Sequence, residues 1–130
     1  MIAVDTNVLV RALADDPAAP DQCVRAREVI ASAGRVRVSS IVFVETLWVL
    51  HRHYGAAREH VAEVAAQLLS HPRYGVEGAA ELEAALAIFA AENVEFADAL
   101  ALADARAVGC PLCTFDRKLA KLRGVELVSA

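Results

Sequence analysis

Short apolar runs alternate along this chain with longer stretches in which apolar residues recur every three or four positions. The first run, Ile2-Ala3-Val4, stops at Asp5, and a pattern of helical spacing over 8–13 follows at once. A run of this kind predicts a buried strand, and the longer spacing predicts an amphipathic helix. Thr6 and Asn7 would make the turn between them. We therefore expect Asp5 at the carboxyl end of a strand, where open α/β sheets bind their ligands.

The same alternation continues to the end of the chain. In order, we predict a loop over 14–21, a helix over 22–33, a strand at 36–38, helices over 41–54 and 57–69, a strand over 74–77, a helix ending at 93, a helix over 96–108, a strand over 112–115, a short helix over 116–122 and a strand over 125–128. Strands that alternate with helices predict a parallel sheet covered on both faces. The expected fold is α/β, a three-layer α/β/α sandwich with a central parallel sheet. A length of 130 residues predicts a single domain over 1–130.

Composition argues against a membrane protein. Hydrophobic residues make up 57% of the chain, but this fraction includes 28 alanines, which favour helices. No apolar stretch approaches the roughly 20 residues that cross a bilayer. The most apolar stretch, 41–50, is short and contains Glu45. No signal peptide precedes the first strand, so we expect a cytoplasmic protein without a membrane partner.

The net charge is −4, and it bears on how the protein could meet nucleic acid. A module that binds nucleic acid through phosphate contacts alone is usually basic. An acidic protein can still act on nucleic acid if its carboxylates hold metal ions, because the ions reverse the local charge. The charge therefore argues against a simple binding module and is compatible with a metal-dependent enzyme.

The three cysteines, Cys23, Cys110 and Cys113, do not predict a disulfide framework, because the count is odd. Cys110 and Cys113 have the spacing of redox and zinc sites. They enter a predicted strand rather than opening a helix, however, and no second pair completes a zinc site. We expect them to be buried structural residues.

Two aspartates stand at the ends of predicted strands. Asp116 follows the apolar run 112–115 and begins a short helix, which repeats the arrangement around Asp5. Each could serve only as an N-cap, because an aspartate before a helix accepts hydrogen bonds from its first turn. Each could also be a ligand at the carboxyl edge of a parallel sheet.

Two further acids lie among apolar residues on predicted helices. Glu45 shares a helical face with Ile41 and Trp48, and a carboxylate on an apolar face is costly unless it is paired or binds a metal. Asp98 stands near the start of its helix, where an acid also complements the helix dipole. For Glu45 the competing interpretations are a partly exposed residue at the edge of the apolar stripe or a partner of Arg52, and for Asp98 a dipole-stabilising acid.

Four carboxylates fit one cluster better than four independent caps. Crowded carboxylates repel, and they all ionise at neutral pH only if cations neutralise them. Ligand sets made of oxygen alone select hard ions, here Mg²⁺ or Mn²⁺. A metal-bound water can attack phosphorus while the metal stabilises the leaving oxygen. The residues therefore indicate metal-dependent phosphodiester hydrolysis.

Segments 2–9, 40–45, 96–100 and 114–118 resemble the motifs of PIN-domain nucleases, and most closely those of the VapC-type toxins of bacterial toxin–antitoxin pairs. The resemblance covers essentially the whole chain. It implies a parallel sheet flanked by helices, Mg²⁺-dependent endoribonuclease activity, homodimers and inhibition by a small cognate antitoxin.

Motif by motif, the resemblance implies a set of site residues. The catalytic acids and metal ligands would be Asp5, Glu45, Asp98 and Asp116. Asp5 and Asp98 would bind the metal directly, with Thr6 and Asn7 orienting the site. Arg11, Arg117 and Lys118 are candidate substrate-binding residues, and together with Lys121 and Arg123 they are cations that could line an RNA path. A solvated helix face with salt bridges explains each of these cations equally well.

Other functions stay open at this stage. A non-catalytic PIN-like binding module is one, although such a protein would be expected to lack one or more of the four acids. A phosphatase with an aspartyl nucleophile at Asp5 is another, but such enzymes usually place a second aspartate at the position of Asn7. A structure-specific DNA nuclease would need further elements to grip a duplex junction.

The helices predicted over 41–54 and 57–69 are joined by a short turn at Gly55 and form a helical hairpin. Leu47 and Trp48 add apolar positions on more than one side of the first helix. One side could face the sheet, and another could bind a partner. In the family this hairpin resembles the clamp that receives an antitoxin segment, with an antitoxin arginine reaching the acidic site.

Overall fold

The structure, a computed structural model, describes residues 1–129. These residues group into two compact units, one comprising Met1–Ala79 and one that begins at Ala80. Each unit carries its own parallel sheet.

The N-terminal unit contains three strands and four helices. In chain order they are β1 (Ile2–Ala3), α1 (Thr6–Leu13), α2 (Pro20–Ala33), β2 (Val36–Val38), α3 (Ser40–Arg52), α4 (Arg58–Ser70) and β3 (Tyr74–Val76). The strands pair in parallel in the order β1-β2-β3, with Ile2 opposite Val36 and Val36 opposite Tyr74. Asp5, Ser39 and Glu77 follow the carboxyl ends of these three strands.

The C-terminal unit contains a smaller sheet and two long helices. Its elements are α5 (Ala79–Ala91), α6 (Phe96–Val108), β4 (Leu112–Thr114), a 3-10 helix (Leu119–Lys121) and β5 (Val125–Leu127). β4 and β5 pair in parallel. Gly109 ends α6 in the left-handed conformation, with φ of 75°, and its N–H donates to the carbonyls of the last turn. Glycine suits this position because it adopts positive φ without a steric penalty.

The core follows the predicted apolar faces. The largest fully buried side chains of the N-terminal unit are Leu9, Val10, Val36, Val38, Phe43, Leu47, Val61 and Leu68. In the C-terminal unit Leu82 and Leu102 are buried, and the rings of Phe89 and Phe96 lie 5.6 Å apart between centroids. Tilted aromatic pairs at this separation are stabilising.

The predicted α/β class and the parallel pairing of the strands are confirmed, and the architecture is consistent with an α/β sandwich. Helix α2 starts at Pro20 rather than at 22, because proline has a preset φ for the first helical position. The helix predicted over 116–122 is a turn followed by the 3-10 helix Leu119–Lys121. The carboxylate of Asp116 accepts the N–H groups of Lys118 and Leu119, and these hydrogen bonds favour a turn.

Across residues 1–129, none of the helices combines the length and the apolar character that a membrane span requires.

Candidate functional site

Asp5 lies directly beyond β1 and begins α1. Its Oδ1 accepts the backbone N–H of Val8 at 3.0 Å, so the N-cap predicted for this residue exists. The side chain is nevertheless exposed. The cap occupies one carboxylate oxygen, and Oδ2 remains available to a ligand. The two interpretations of Asp5, cap and ligand, are therefore compatible in one side chain.

A pocket of about 250 Å³ opens at this end of the sheet, and six residues from two segments line it. They are Asp5, Thr6 and Asn7 at the start of α1, and Ile41, Val42 and Glu45 on α3. Two of the predicted acids therefore share one pocket with both of the residues expected to orient the site. The pocket is smaller than the roughly 300–1,000 Å³ of typical organic-ligand sites, which suits a hydrated cation and a phosphate group.

The environment of Glu45 differs from the one predicted. The sequence placed this carboxylate on an apolar face, and burial was the reason to expect a paired or metal-bound group. That face is instead open to water, since Glu45 is exposed and its helical neighbours Ile41 and Trp48 are 72% and 56% exposed. The opposite face of α3, including Phe43 and Leu47, packs into the core. Desolvation therefore does not argue for a ligand role for Glu45, and its position in the pocket is what supports that role.

Helix α3 is anchored by a residue that the sequence analysis did not single out. Glu77, just beyond β3, accepts the backbone N–H of Ser40 at 3.0 Å and the hydroxyl of Ser40 at 2.9 Å. These two hydrogen bonds hold the pKa of Glu77 below its usual value, and the Arg37 guanidinium at 3.8 Å adds to the effect. The available signal was the position of Glu77, an acid directly after a strand, like Asp5 and Asp116. Ser39 completes the cap by accepting the N–H of Val42 at 3.3 Å.

The other two predicted acids lie in the C-terminal unit and influence each other. The pKa of Asp98 is raised, first because partial burial disfavours the charged carboxyl, and second because the carboxylates of Asp116 and Glu95 repel it. Asp98 and Asp116 are therefore close enough for their charges to interact. Asp104, on the same helix as Asp98, is exposed and contributes nothing to this shift.

Asp116 also shapes the turn that follows β4. Its Oδ1 accepts the N–H groups of Lys118 at 2.8 Å and Leu119 at 3.2 Å. Its own N–H donates to Thr114 Oγ1 at 3.0 Å. Asp116 therefore fixes a turn rather than capping a helix, because the 3-10 helix begins after Lys118 without a side-chain cap, and its carboxylate is exposed. Both strand-ending aspartates thus fix a turn while presenting a carboxylate to water.

The predicted substrate cations divide into two kinds. Arg11 is held in a network with the Tyr54 hydroxyl, Asp16 at 3.3 Å and Gln22 at 3.0 Å. Those contacts make Arg11 a structural residue that fixes the loop before α2. Arg117 and Lys118 are exposed and form no ion pair among the described residues.

The prediction that Cys110 and Cys113 are buried is wrong. Cys110 and Cys113 are exposed, because Cys113 occupies the open face of the short strand β4 and Cys110 precedes it. Cys23 is buried at 3% exposure, and its Sγ lies 3.5 Å from the carbonyl of Ala14.

These features define an α/β protein with carboxylates beyond the ends of parallel strands, and comparison with known families agrees. A family model of the PIN domain matches residues 2–125, and the chain belongs to the PIN-domain family. A comparison with curated proteins returns no significant match. PIN domains are usually metal-dependent nucleases, and nuclease-type activity is what the family suggests for this chain.

The donor chemistry fits the divalent metal that PIN domains generally use. Every predicted ligand is a carboxylate, the ligand type that hard cations prefer, and a cation would relieve the repulsion between Asp98 and Asp116. Within the part of the chain that the structure describes, no three His, Cys, Asp or Glu side chains are already gathered as a metal-binding group. The carboxylates therefore fit a divalent metal in their ligand type. They lie in two pairs, Asp5 with Glu45 and Asp98 with Asp116.

Proposed function

We propose that this protein is a Mg²⁺-dependent endoribonuclease that acts as the toxin of a toxin–antitoxin pair. Asp5, Glu45, Asp98 and Asp116 would be its catalytic acids and metal ligands, with Mn²⁺ as the alternative ion. The observation that carries this proposal is the pocket that Asp5 and Glu45 line together beyond the carboxyl end of β1. A phosphodiester is the substrate that such a site would attack in a protein of this family.

When bound, the divalent ion would supply an activated water and stabilise the departing oxygen. The chain's own residues would prepare the site. The hydrogen bond from Val8 fixes the rotamer of Asp5, so its second oxygen is preorganised for a ligand. Thr6 and Asn7 line the same pocket and would orient the substrate or its water. Partial burial first, and then the repulsion from Asp116, raise the pKa of Asp98, and positive charge nearby would favour its charged form.

The RNA would be held by cations outside the pocket. Arg117 and Lys118 directly follow Asp116 and are exposed, which suits contact with phosphates on either side of the scissile bond. Arg11 is not part of this surface, because its guanidinium is already engaged by Asp16, Tyr54 and Gln22.

The partner proposal rests on the hairpin of α3 and α4. These helices pack together in the N-terminal unit, and α3 presents Ile41 and Trp48 to water beside the acidic pocket. Leu47, which the sequence analysis offered as part of this surface, is buried at 1% exposure. We infer that a small antitoxin lays an apolar helix on the exposed stripe and inserts an arginine into the pocket. Bidentate hydrogen bonds from that arginine would satisfy the carboxylates as the metal does.

A homodimer is the quaternary state that the family resemblance implies, and light scattering of the purified protein tests it. RNA as substrate and an antitoxin as inhibitor would both place the protein in the cytoplasm.

The deciding experiment is an RNA cleavage assay with Mg²⁺, with excess EDTA, and with the variants Asp5→Asn and Asp21→Asn. Asparagine keeps the size of the side chain and also caps helices well, so Asp5→Asn should fold normally and lose cleavage. Asp21→Asn changes an exposed acid in the first turn of α2 and should cleave like the wild type. Cleavage that survives EDTA, or survives Asp5→Asn, rules out the metal-dependent nuclease.

For the partner, inhibition by the product of a neighbouring small reading frame should weaken as Mg²⁺ is increased. If inhibition does not depend on Mg²⁺, the proposed insertion of an antitoxin arginine into the pocket is wrong, and the proposed nuclease activity is not affected.

A further inference from the structure

Phe115 is a large aromatic residue that the fold leaves outside. Its side chain is 70% exposed, and it stands between the end of β4 and Asp116. Burying a phenylalanine side chain stabilises a fold, and most of that stabilisation is not realised at this position. A ring presented directly beside a predicted catalytic acid is placed to meet a substrate.

The backbone on both sides of Phe115 is fixed by hydrogen bonds. Before it, the Thr114 carbonyl accepts the N–H of Val128 at 2.7 Å. After it, the Asp116 N–H donates to Thr114 Oγ1, and the Asp116 carbonyl accepts the N–H of Ala120, both at 3.0 Å. Only the side-chain torsions of Phe115 remain to be ordered on binding. A rigid ring of this kind binds a flat ligand at a low cost in conformational entropy.

Segment 115–123, which we call the basic turn, has a charge opposite to that of the whole protein. The segment contains one carboxylate, Asp116, and four cations, so its net charge is +3 in a chain of net charge −4. The cations are Arg117, Lys118, Lys121 and Arg123. A fifth cation adjoins it, because the Arg106 guanidinium donates to the Arg123 carbonyl at 2.7 and 3.1 Å. The exposed ring therefore belongs to a segment of net positive charge.

An exposed aromatic ring among cations is the arrangement that binds single-stranded nucleic acid. The cations attract the phosphates, and the ring stacks on an unpaired base. A base inside a duplex already has both faces stacked on its neighbours, so it offers no face to Phe115. We propose that Phe115 is a base-stacking residue, which holds an unpaired base of the RNA beside Asp116. This inference rests on the nuclease function proposed above, and it adds the residue that holds the base.

The test measures binding separately from cleavage. In an Asp98→Asn background with Mg²⁺, the affinity for a short single-stranded RNA is compared with that for the same sequence as a duplex. Phe115→Ala should weaken single-strand binding by about tenfold, within the range that one base–aromatic stack contributes. Duplex binding should change by less than about twofold. Val108→Ala is the matched control, because Val108 is 71% exposed in the same unit and should leave both affinities unchanged.

Two further variants separate stacking from simple apolar contact. Phe115→Trp keeps a π-face and should retain single-strand affinity, whereas Phe115→Leu keeps only apolar bulk and should behave like Phe115→Ala. Trp48 is the only tryptophan of the chain. In the double variant Trp48→Phe, Phe115→Trp, the tryptophan at position 115 is therefore the only one. Its fluorescence should then be quenched by single-stranded RNA and not by an abasic ribose-phosphate oligomer.

The outcomes are distinct. Equal losses for single strands and duplex, or full affinity in Phe115→Leu, overturn stacking. A change in oligomeric state in Phe115→Ala, without a loss of RNA affinity, would show that the ring faces a second copy of the chain. If the wild type with Mg²⁺ cleaves no RNA while Phe115→Ala still weakens single-strand binding, the nuclease function fails and the stacking role stands. If the wild type cleaves and Phe115→Ala binds normally, only the stacking role fails.

Discussion

The two carboxylate pairs of this protein differ in how water reaches them. Asp5 and Glu45, in the N-terminal unit, are both exposed in an open pocket. In the C-terminal unit Asp98 is partly buried, and its pKa is raised by that burial and then by Asp116. Carboxylates are thus solvated in the N-terminal unit, whereas in the C-terminal unit the environment of Asp98 disfavours its charged form. A solvated carboxylate is available to bind a ligand, whereas the charged form of a partly buried and repelled carboxylate is stabilised most by a nearby cation.

The largest expected effect compares these pairs in catalysis. We expect Asp5→Asn and Asp98→Asn each to lower RNA cleavage by at least about 100-fold, because each would remove a proposed ligand of the metal-assisted step. Asp104→Asn, an exposed acid on the helix that carries Asp98, should cleave within about twofold of the wild type. The measurement is the initial cleavage rate at saturating Mg²⁺. A large loss in one pair alone would show that the other pair is structural.

The second effect separates the two members of the C-terminal pair by their stability without metal. Asp98→Asn should raise the melting temperature in EDTA, because it removes a partly buried charge that Asp116 and Glu95 repel. Asp116→Ala should lower stability by about 1–2 kcal/mol, because it deletes the acceptor of two backbone N–H groups. For a chain of this size that corresponds to roughly 3–8 °C. A destabilised Asp98→Asn would contradict the assignment of Asp98 as a repelled acid.

The third effect is the dependence of stability on pH, which has opposite signs in the two units. The pKa of Glu77 is lowered from about 4.5, so its contribution is present above that pH and is lost as the pH falls through the lowered pKa. The pKa of Asp98 is raised from about 3.8, so its contribution is present below that pH and is lost as the pH rises through the raised pKa. Melting temperatures from pH 3 to 7 should therefore show Glu77→Gln falling below the wild type as pH rises, while Asp98→Asn rises above it. If the curve of either variant runs parallel to that of the wild type, the substituted residue does not contribute to the pH dependence of stability.

The smallest effect compares two threonine hydroxyls. Thr46 Oγ1, on α3, is buried and has no hydrogen-bond partner among the described residues, whereas Thr114 Oγ1 accepts the Asp116 N–H. Thr46→Val should be neutral or stabilising by up to about 1 kcal/mol, since it removes an unsatisfied polar group. Thr114→Val should destabilise by about 0.5–1.5 kcal/mol. Urea denaturation of both variants measures the difference, and a marked loss in Thr46→Val would indicate a partner for the hydroxyl, such as a buried water.

The sequence predicted the fold well because its signals were local. Apolar runs ending on Asp5 and Asp116 and the helical spacing of 96–108 each determine an element from neighbouring residues alone. The shared pocket of Asp5 and Glu45 also followed, since helices and strands in this order bring the ends of parallel strands together.

The errors were in questions of exposure, which depends on distant packing. Periodicity showed that α3 is apolar on more than one side, but it could not show which side the sheet would cover. Glu45 and Trp48 therefore emerged on the open face, while Leu47 became core. The same limit explains Cys113, whose face of a short strand could not be assigned from alternation over three residues.

The anchoring role of Glu77 was missed for a related reason. Its partner Ser40 lies 37 residues away in the chain, and only the parallel register of β2 and β3 brings the two together. Arg11 was assigned to RNA on charge alone, and its partners Tyr54 and Asp16 became visible only with the tertiary structure.

The cysteines give this protein a built-in labelling pattern. Cys110 and Cys113 should react with a thiol reagent at once, whereas Cys23 is buried in the N-terminal unit and should react only when that unit opens. The slow phase of labelling therefore reports the free energy of opening that unit, in the native protein and without denaturant. Followed in a variant with Cys110 and Cys113 replaced by serine, and with increasing Mg²⁺, the labelling rate of Cys23 would show whether a ligand at the acidic pocket stiffens a helix that does not line it.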